Sequence, residues 1–249
     1  RIQNEDGSIP GTGPERNNFL LPDFCAYWLL GVRDYYRYTA DASLVAELWP
    51  AMEKLAAWFE NQTDETGLFA RANRPGMWCF IDWTEDVDRR DKVAAISFLY
   101  YHVLRAMEEL AHAAGRGEAS GIYGSRAERL RGDIRSRLWL KERRVFSDCI
   151  DNDQLSDNVS LQTNFLAVWS GLTEPEETQY FLREVYLKGA LPPVKGPFFQ
   201  HIVLEVLHRE GLADEAIRLI REYWGEMVAR GATTWWETFD ASTPHCTIP

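Results

Sequence analysis

Glu237 has the neighbours that most favour chemistry. It closes the run Gly231-Ala232-Thr233-Thr234-Trp235-Trp236-Glu237, and Asp240 follows it. A carboxylate beside flat indoles has an evident use. The rings hold the apolar side of a sugar, and the carboxylate takes a proton from water. The glycine and two threonines in front favour an irregular or extended segment over a helix. The same residues also fit a buried aromatic cluster in which Glu237 caps a backbone or pairs with an arginine.

A second stretch has the same character. Met77-Trp78-Cys79-Phe80-Ile81-Asp82-Trp83-Thr84-Glu85-Asp86 sets acids among indoles with little helical period. Trp78 and Trp83 read as ligand-contacting rings, and Asp82 and Glu85 as charged acceptors for sugar hydroxyls. By contrast Trp28, Trp49, Trp58, Trp139 and Trp169 lie on helix faces and read as core. His102, His112, His201 and His208 fall within helices, as packed or surface residues. Asp148, Asp151, Asp153 and Asp157 read as a solvated acidic loop, because their spacing is not that of an EF-hand. There is no phosphate-binding glycine loop, no H-E-x-x-H and no histidine cluster, so neither a cofactor nor a metal is expected.

Helices must position these stretches. Apolar periodicity predicts eight of them, at 24–38, 44–61, about 92–114, about 121–139, 158–169, 175–187, 198–209 and 213 to about 228. Asp23 stands at an N-cap position before the first, and Asp41 or Ser43 before the second. Strands are nearly absent. Short turns at 39–43, 63–67, 171–174 and 210–212 alternate with long loops at 68–91, 144–157 and 189–197. Hairpins with their short turns at one end gather the long loops at the other. Without a self-similar repeat of 34–47 residues, this favours a toroid of helical hairpins over a solenoid.

The bulk composition narrows the partners. The 249 residues carry a net charge of -11, 45% hydrophobic and 13% aromatic residues, and ten tryptophans. That is enough for a large core. Nucleic acid is disfavoured for want of a basic stripe. No apolar run reaches the ~20 residues of a membrane span, and no signal-like segment opens the chain. An acidic, indole-rich surface suits a neutral, hydroxyl-rich ligand. The scattered Cys25, Cys79, Cys149 and Cys246 read as reduced, buried residues. They favour the cytoplasm slightly over secretion and leave the compartment open. Oligomeric state has no signal here.

Gly231-Ala232-Thr233-Thr234-Trp235-Trp236-Glu237 resembles the G-A-T-T-x-W-E segment of the α-L-rhamnosidases of glycoside hydrolase family 78. Asp6-Gly7-Ser8-Ile9-Pro10, Pro22-Asp23-Phe24, Asp64-Glu65-Thr66-Gly67-Leu68 and Phe80-Ile81-Asp82-Trp83 follow in family order. The resemblance implies an all-α (α/α)6 barrel, incomplete in this chain, over residues 1–249. It implies an inverting hydrolase that removes terminal α-L-rhamnose. Glu237 takes the place of the general base, and Trp83 lines the rhamnose pocket beside Trp236. The aromatic after Pro-Asp is Phe24 where the family shows Trp, so that role is spread over Phe24 and Trp28. His245 stands near the family's S-L-N-H histidine, in a poorly matching context. The family's general acid lies upstream of the glycine-rich loop, before residue 1, so residues 1–249 alone are expected to be inactive. The alternatives are a related six-hairpin glycosidase or a lyase acting on another sugar, and a non-catalytic carbohydrate- or protein-binding helical module.

Overall fold

Periodicity, caps and breakers set the helices of the structure, a computed structural model that describes residues 2–12 and 19–239. The chain divides into two compact units. The first takes Arg1–Phe80 and Asp88–Asn158, the second Ile81–Val87 and Val159–Pro249.

The first unit is built on α1 (Pro22–Thr39), α2 (Ala42–Glu60), α3 (Ala94–Ala113) and α4 (Gly117–Leu138). Helix α1 starts on Pro22, whose fixed φ suits a first turn. Leu21 is its N-cap, without a side-chain bond. Asp23 lies within the first turn and is buried, which corrects its expected capping role. Asp41 caps α2, accepting from the Ser43 and Leu44 amides. Helix α3 is apolar almost all round and packs on α1, α2 and α4. Helix α4 buries only the stripe Tyr123, Ala127, Leu130, Ile134 and Leu138. At the centre Phe59, fully buried, stacks on Tyr100 with ring centroids 5.3 Å apart and meets Trp58 at 4.9 Å.

Half of the expected loop 144–157 is strand. β1 (Lys92–Val93), β4 (Cys149–Asp151) and β5 (Gln154–Leu155) form one antiparallel sheet, and β2 (Trp139–Leu140) pairs with β3 (Val145–Phe146). Asn152 and Asp153, both at positive φ, make the tight turn between β4 and β5. Trp139, expected on a helix face, therefore sits in a strand. Asp148 is buried, not solvated: its Oδ2 accepts from the Asp88 amide at 3.1 Å and the Asn158 side chain at 2.6 Å. Asp151 pairs with Arg90 and Asp153 with Lys92.

Asp88 accepts from both Nε and Nη2 of Arg90, at 2.8 and 2.6 Å. That guanidinium holds the Asp88 carboxyl well below the usual carboxylate range, with help from the Ser156 hydroxyl. A depressed folded pKa contributes stability that is complete above the unfolded value and is lost as pH falls toward the folded one. Asp88→Asn should therefore lower Tm at neutral pH and flatten the acid limb of a Tm–pH curve. An acid limb as steep as that of the parent below about pH 4 would contradict this.

The second unit contains α5 (Leu161–Ser170), α6 (Pro175–Tyr180), α7 (Pro197–Arg209) and α8 (Ala213–Ala229). The predicted helix 175–187 is thus α-helical only to Tyr180 and continues as a π-helical turn over Phe181–Tyr186. Ser160 caps α5, and Gly171 ends it in the left-handed region. Every residue of α5 is buried, as befits the central helix of this unit. It packs on α7, and α7 on α8. Arg209 closes the end of α5 by donating to the Val168 carbonyl at 2.7 Å. Among the described residues no helix is long and apolar enough to cross a membrane.

Candidate functional site

Ile81–Val87 carry three of the residues singled out above. The segment opens on a strained residue: Ile81 is buried, β-branched and at φ 57. Such a backbone costs about 1–3 kcal/mol and persists only where its surroundings over-determine it. The next residue is bonded on both side-chain oxygens. Asp82 is 1% exposed. Its Oδ1 accepts from the Trp83 amide at 2.9 Å, and its Oδ2 from Gln162 Nε2 at 2.9 Å. Gln162 lies in the first turn of α5, and Gly196, the N-cap of α7, abuts the same carboxylate. The buried carboxyl group therefore lies beside a first-turn side chain of α5 and the residue that opens α7.

Asp82 is expected from its sequence to offer its oxygens to sugar hydroxyls; here each of them accepts from a protein donor. The carboxylate is sequestered and holds the loop. What the loop presents outward is Trp83, 45% exposed, and Glu85, also exposed. Thr84 and Asp86 close it locally, side chain to side chain at 2.8 Å.

Residues 231–239 follow α8 as an irregular segment, as the threonines and glycine implied. Its anchor is Phe239, whose amide donates to the Lys195 carbonyl at 2.9 Å. The Phe239 ring stacks on Tyr223 at 4.4 Å and meets Trp224 edge-on at 4.9 Å. Glu237 is exposed, Trp236 half-buried and Trp235 69% exposed. The alternative of a sealed aromatic cluster around Glu237 is thereby excluded. Lys195 and Gly196 are consecutive, so the Trp83 loop and the Glu237 segment converge on one dipeptide.

The remaining aromatic candidates belong to the first unit. Phe80 meets Phe24 at 5.9 Å and Trp78 at 5.6 Å, both edge-on. Trp78 is 36% exposed and Phe24 half-buried. Trp28, also half-buried, lies one helical turn beyond Phe24 on α1. His245 and Asp240 lie outside the described residues. Sequence reading missed Gln162, Lys195, Gly196 and Phe239. Only the Gly196-Pro197 step before a helix was a signal available for them. Cys25, Cys79 and Cys149 are free and buried as expected, and burial pushes the Cys25 thiol up to about 12. Among the described residues no group of three or more His, Cys, Asp and Glu is placed to hold a metal ion.

An exposed carboxylate flanked by partly exposed indoles, on a segment tied to a second exposed indole, suits proton abstraction beside a stacked ring. Comparison with known proteins gives the family and the fold. The family described as the bacterial α-L-rhamnosidase six-hairpin glycosidase domain matches residues 1–247. Among solved structures, a family 78 rhamnosidase of a Bacillus species superposes with a TM-score of 0.82 at 28% identity, over 94% of this chain and 26% of that one. A rhamnosidase from Klebsiella oxytoca with rhamnose bound superposes at 0.80 and 24% identity, over 99% and 47%. The family 63 mannosylglycerate hydrolase of Thermus thermophilus shares the fold, at a TM-score of 0.70 and 15% identity, over 95% and 79%. The chain thus spans between a quarter and a half of the length of the two rhamnosidases. No curated protein matches it by sequence.

Proposed function

The chain belongs to the six-hairpin glycosidase domain family of bacterial α-L-rhamnosidases, with the (α/α)6 fold and glycoside hydrolase class that this carries, and from that premise we propose that it contributes the general base of an inverting α-L-rhamnosidase. Glu237 deprotonates the attacking water as the anomeric carbon develops oxocarbenium character. The proton goes to Glu237, the new C–O bond forms on the face opposite the departing aglycone, and a second carboxyl group about 6.5–9.5 Å away protonates the leaving oxygen. Trp83 and Trp236 stack on the apolar side of rhamnose, and Glu85 accepts from its hydroxyls. For Phe24, Trp28 and Trp78, all in the first unit, a sugar-contacting role rests on the family resemblance and on their aromatic character. Asp82 orients Trp83.

One observation carries this reading. The exposed Glu237 segment and the exposed Trp83 loop are tied to the same Lys195-Gly196 dipeptide, 2.9 Å from the Phe239 amide on one side and in contact with Asp82 on the other. The test uses the protein at its full natural length on a panel of nitrophenyl glycosides, with the anomer of the freed sugar followed by proton NMR. Cleavage of the α-L-rhamnoside with first release of the β-anomer is expected. Preference for another glycoside reassigns the substrate, and first release of the α-anomer removes the inverting role. Trp83→Ala should raise KM about tenfold, the equivalent of a stacking loss of about 1.4 kcal/mol, with a smaller change in kcat. An unchanged KM would take Trp83 out of the pocket.

A further inference from the structure

We propose that Gly196 is a positioning residue for this site: the bare Cα at 196 lets the Asp82 carboxylate lie across the start of α7, and that contact locks the Trp83 loop to the segment bearing Glu237. The catalytic consequence rests on the function proposed above. The lock itself rests only on geometry.

Gly196 does not owe its identity to its backbone. Its φ of -85° and ψ of 118° are open to every residue, and Pro197 after it favours such an extended conformation. Space is what demands glycine. A Cβ at 196 would lie 1.7 Å from Asp82 Oδ1, 2.7 Å from its Cγ and 3.0 Å from its Oδ2. Asp82 has a short side chain that is 1% exposed, with one oxygen on the Trp83 amide and the other on Gln162. It cannot swing aside without stranding the buried Gln162 amide and releasing the Trp83 backbone, a loss that folded proteins rarely tolerate. An alanine at 196 must therefore expel the carboxylate or push its own peptide away. That peptide includes the Lys195 carbonyl, the acceptor of the Phe239 amide. Either way, the relation between Trp83 and Glu237 is lost.

The test compares Gly196→Ala, Asp82→Ala and the double variant in the protein at its full natural length. It reads both nitrophenyl α-L-rhamnoside turnover and hydrogen exchange at the Trp83 and Phe239 amides. Gly196→Ala should lower kcat/KM about 100-fold, as misplacement by an ångström does, and speed exchange at one or both amides while α3 stays protected. With Asp82 already removed, the extra methyl has nothing to strike, so the double variant should be no worse than Asp82→Ala. Unchanged exchange in Gly196→Ala, or a double-variant loss equal to the product of the single losses, overturns the lock. Faster exchange with turnover intact upholds the lock and overturns the siting of the reaction. Should Gly196→Ala fail to fold, a soluble double variant upholds the lock. A soluble Asp82→Ala beside an insoluble double variant overturns it.

Discussion

Glu237→Gln should lower kcat on nitrophenyl α-L-rhamnoside by about 10³-fold, within the range that a positioned general base contributes. The amide keeps the size and shape of the carboxylate, so the contacts proposed for Trp236 and Trp83 with the sugar should survive and KM should change little. What disappears is the acceptor for the water proton. A step that lacks only its base can be bypassed by a nucleophile that needs none. Azide should therefore restore part of the turnover, forming a C–N bond at the anomeric carbon as the aglycone departs and giving the inverted glycosyl azide. The exposure of Glu237 is what makes this test clean: the residue is not part of a packed core, so its substitution should leave Tm within a degree or so, as for most surface positions. A variant with parental kcat would end the assignment of Glu237.

Phe59→Ala should cost about 3–5 kcal/mol, at the top of the range for truncating a core side chain. The ring is fully buried and lies among Trp58, Phe69 and Tyr100 at centroid distances of 4.9, 6.0 and 5.3 Å. Rigid rings cannot slump into the space, so the cavity stays open and the contacts are not recovered. Against a total stability of about 5–15 kcal/mol, that is a large fraction. Urea unfolding would show it as a lower midpoint at unchanged slope. Phe59→Leu refills most of the volume and should lose much less. Equal losses for Ala and Leu would show that the space is not what matters here.

How much of this could be read from the chain differs by element. Only the end of helix α5 was legible, because Gly171 is a local breaker; the expected start at 158 lies three residues before Leu161. Asp41 in front of α2 was legible as a local cap. The strands were not, because β1 to β5 are two or three residues each and owe their form to partners far along the chain. Lys92 faces Ile150, for example. Asp148 looked like one of several loop acids, and only tertiary pairing with Asp88 and Asn158 makes it a buried anchor. At the site, Glu237 and Trp83 stood out through their neighbours in sequence. The role of Asp82 was hidden, since its partner Gln162 lies 80 residues on. A short-range pattern names candidates; it cannot say which acid faces solvent and which is consumed in holding the backbone.

The short excursion Ile81–Val87 has a bearing on biosynthesis. A ribosome delivers these residues well before Val159 and all that follows, yet they belong with that later stretch. Until α5 and α7 emerge, Asp82 has neither Gln162 nor Gly196 to lie against. The nascent polypeptide therefore carries a small loose stitch, with Asp82 still apart from Gln162 and Gly196. Stalled or truncated translation products should keep that stitch open, available to chaperones and proteases, and it closes only when the downstream helices arrive.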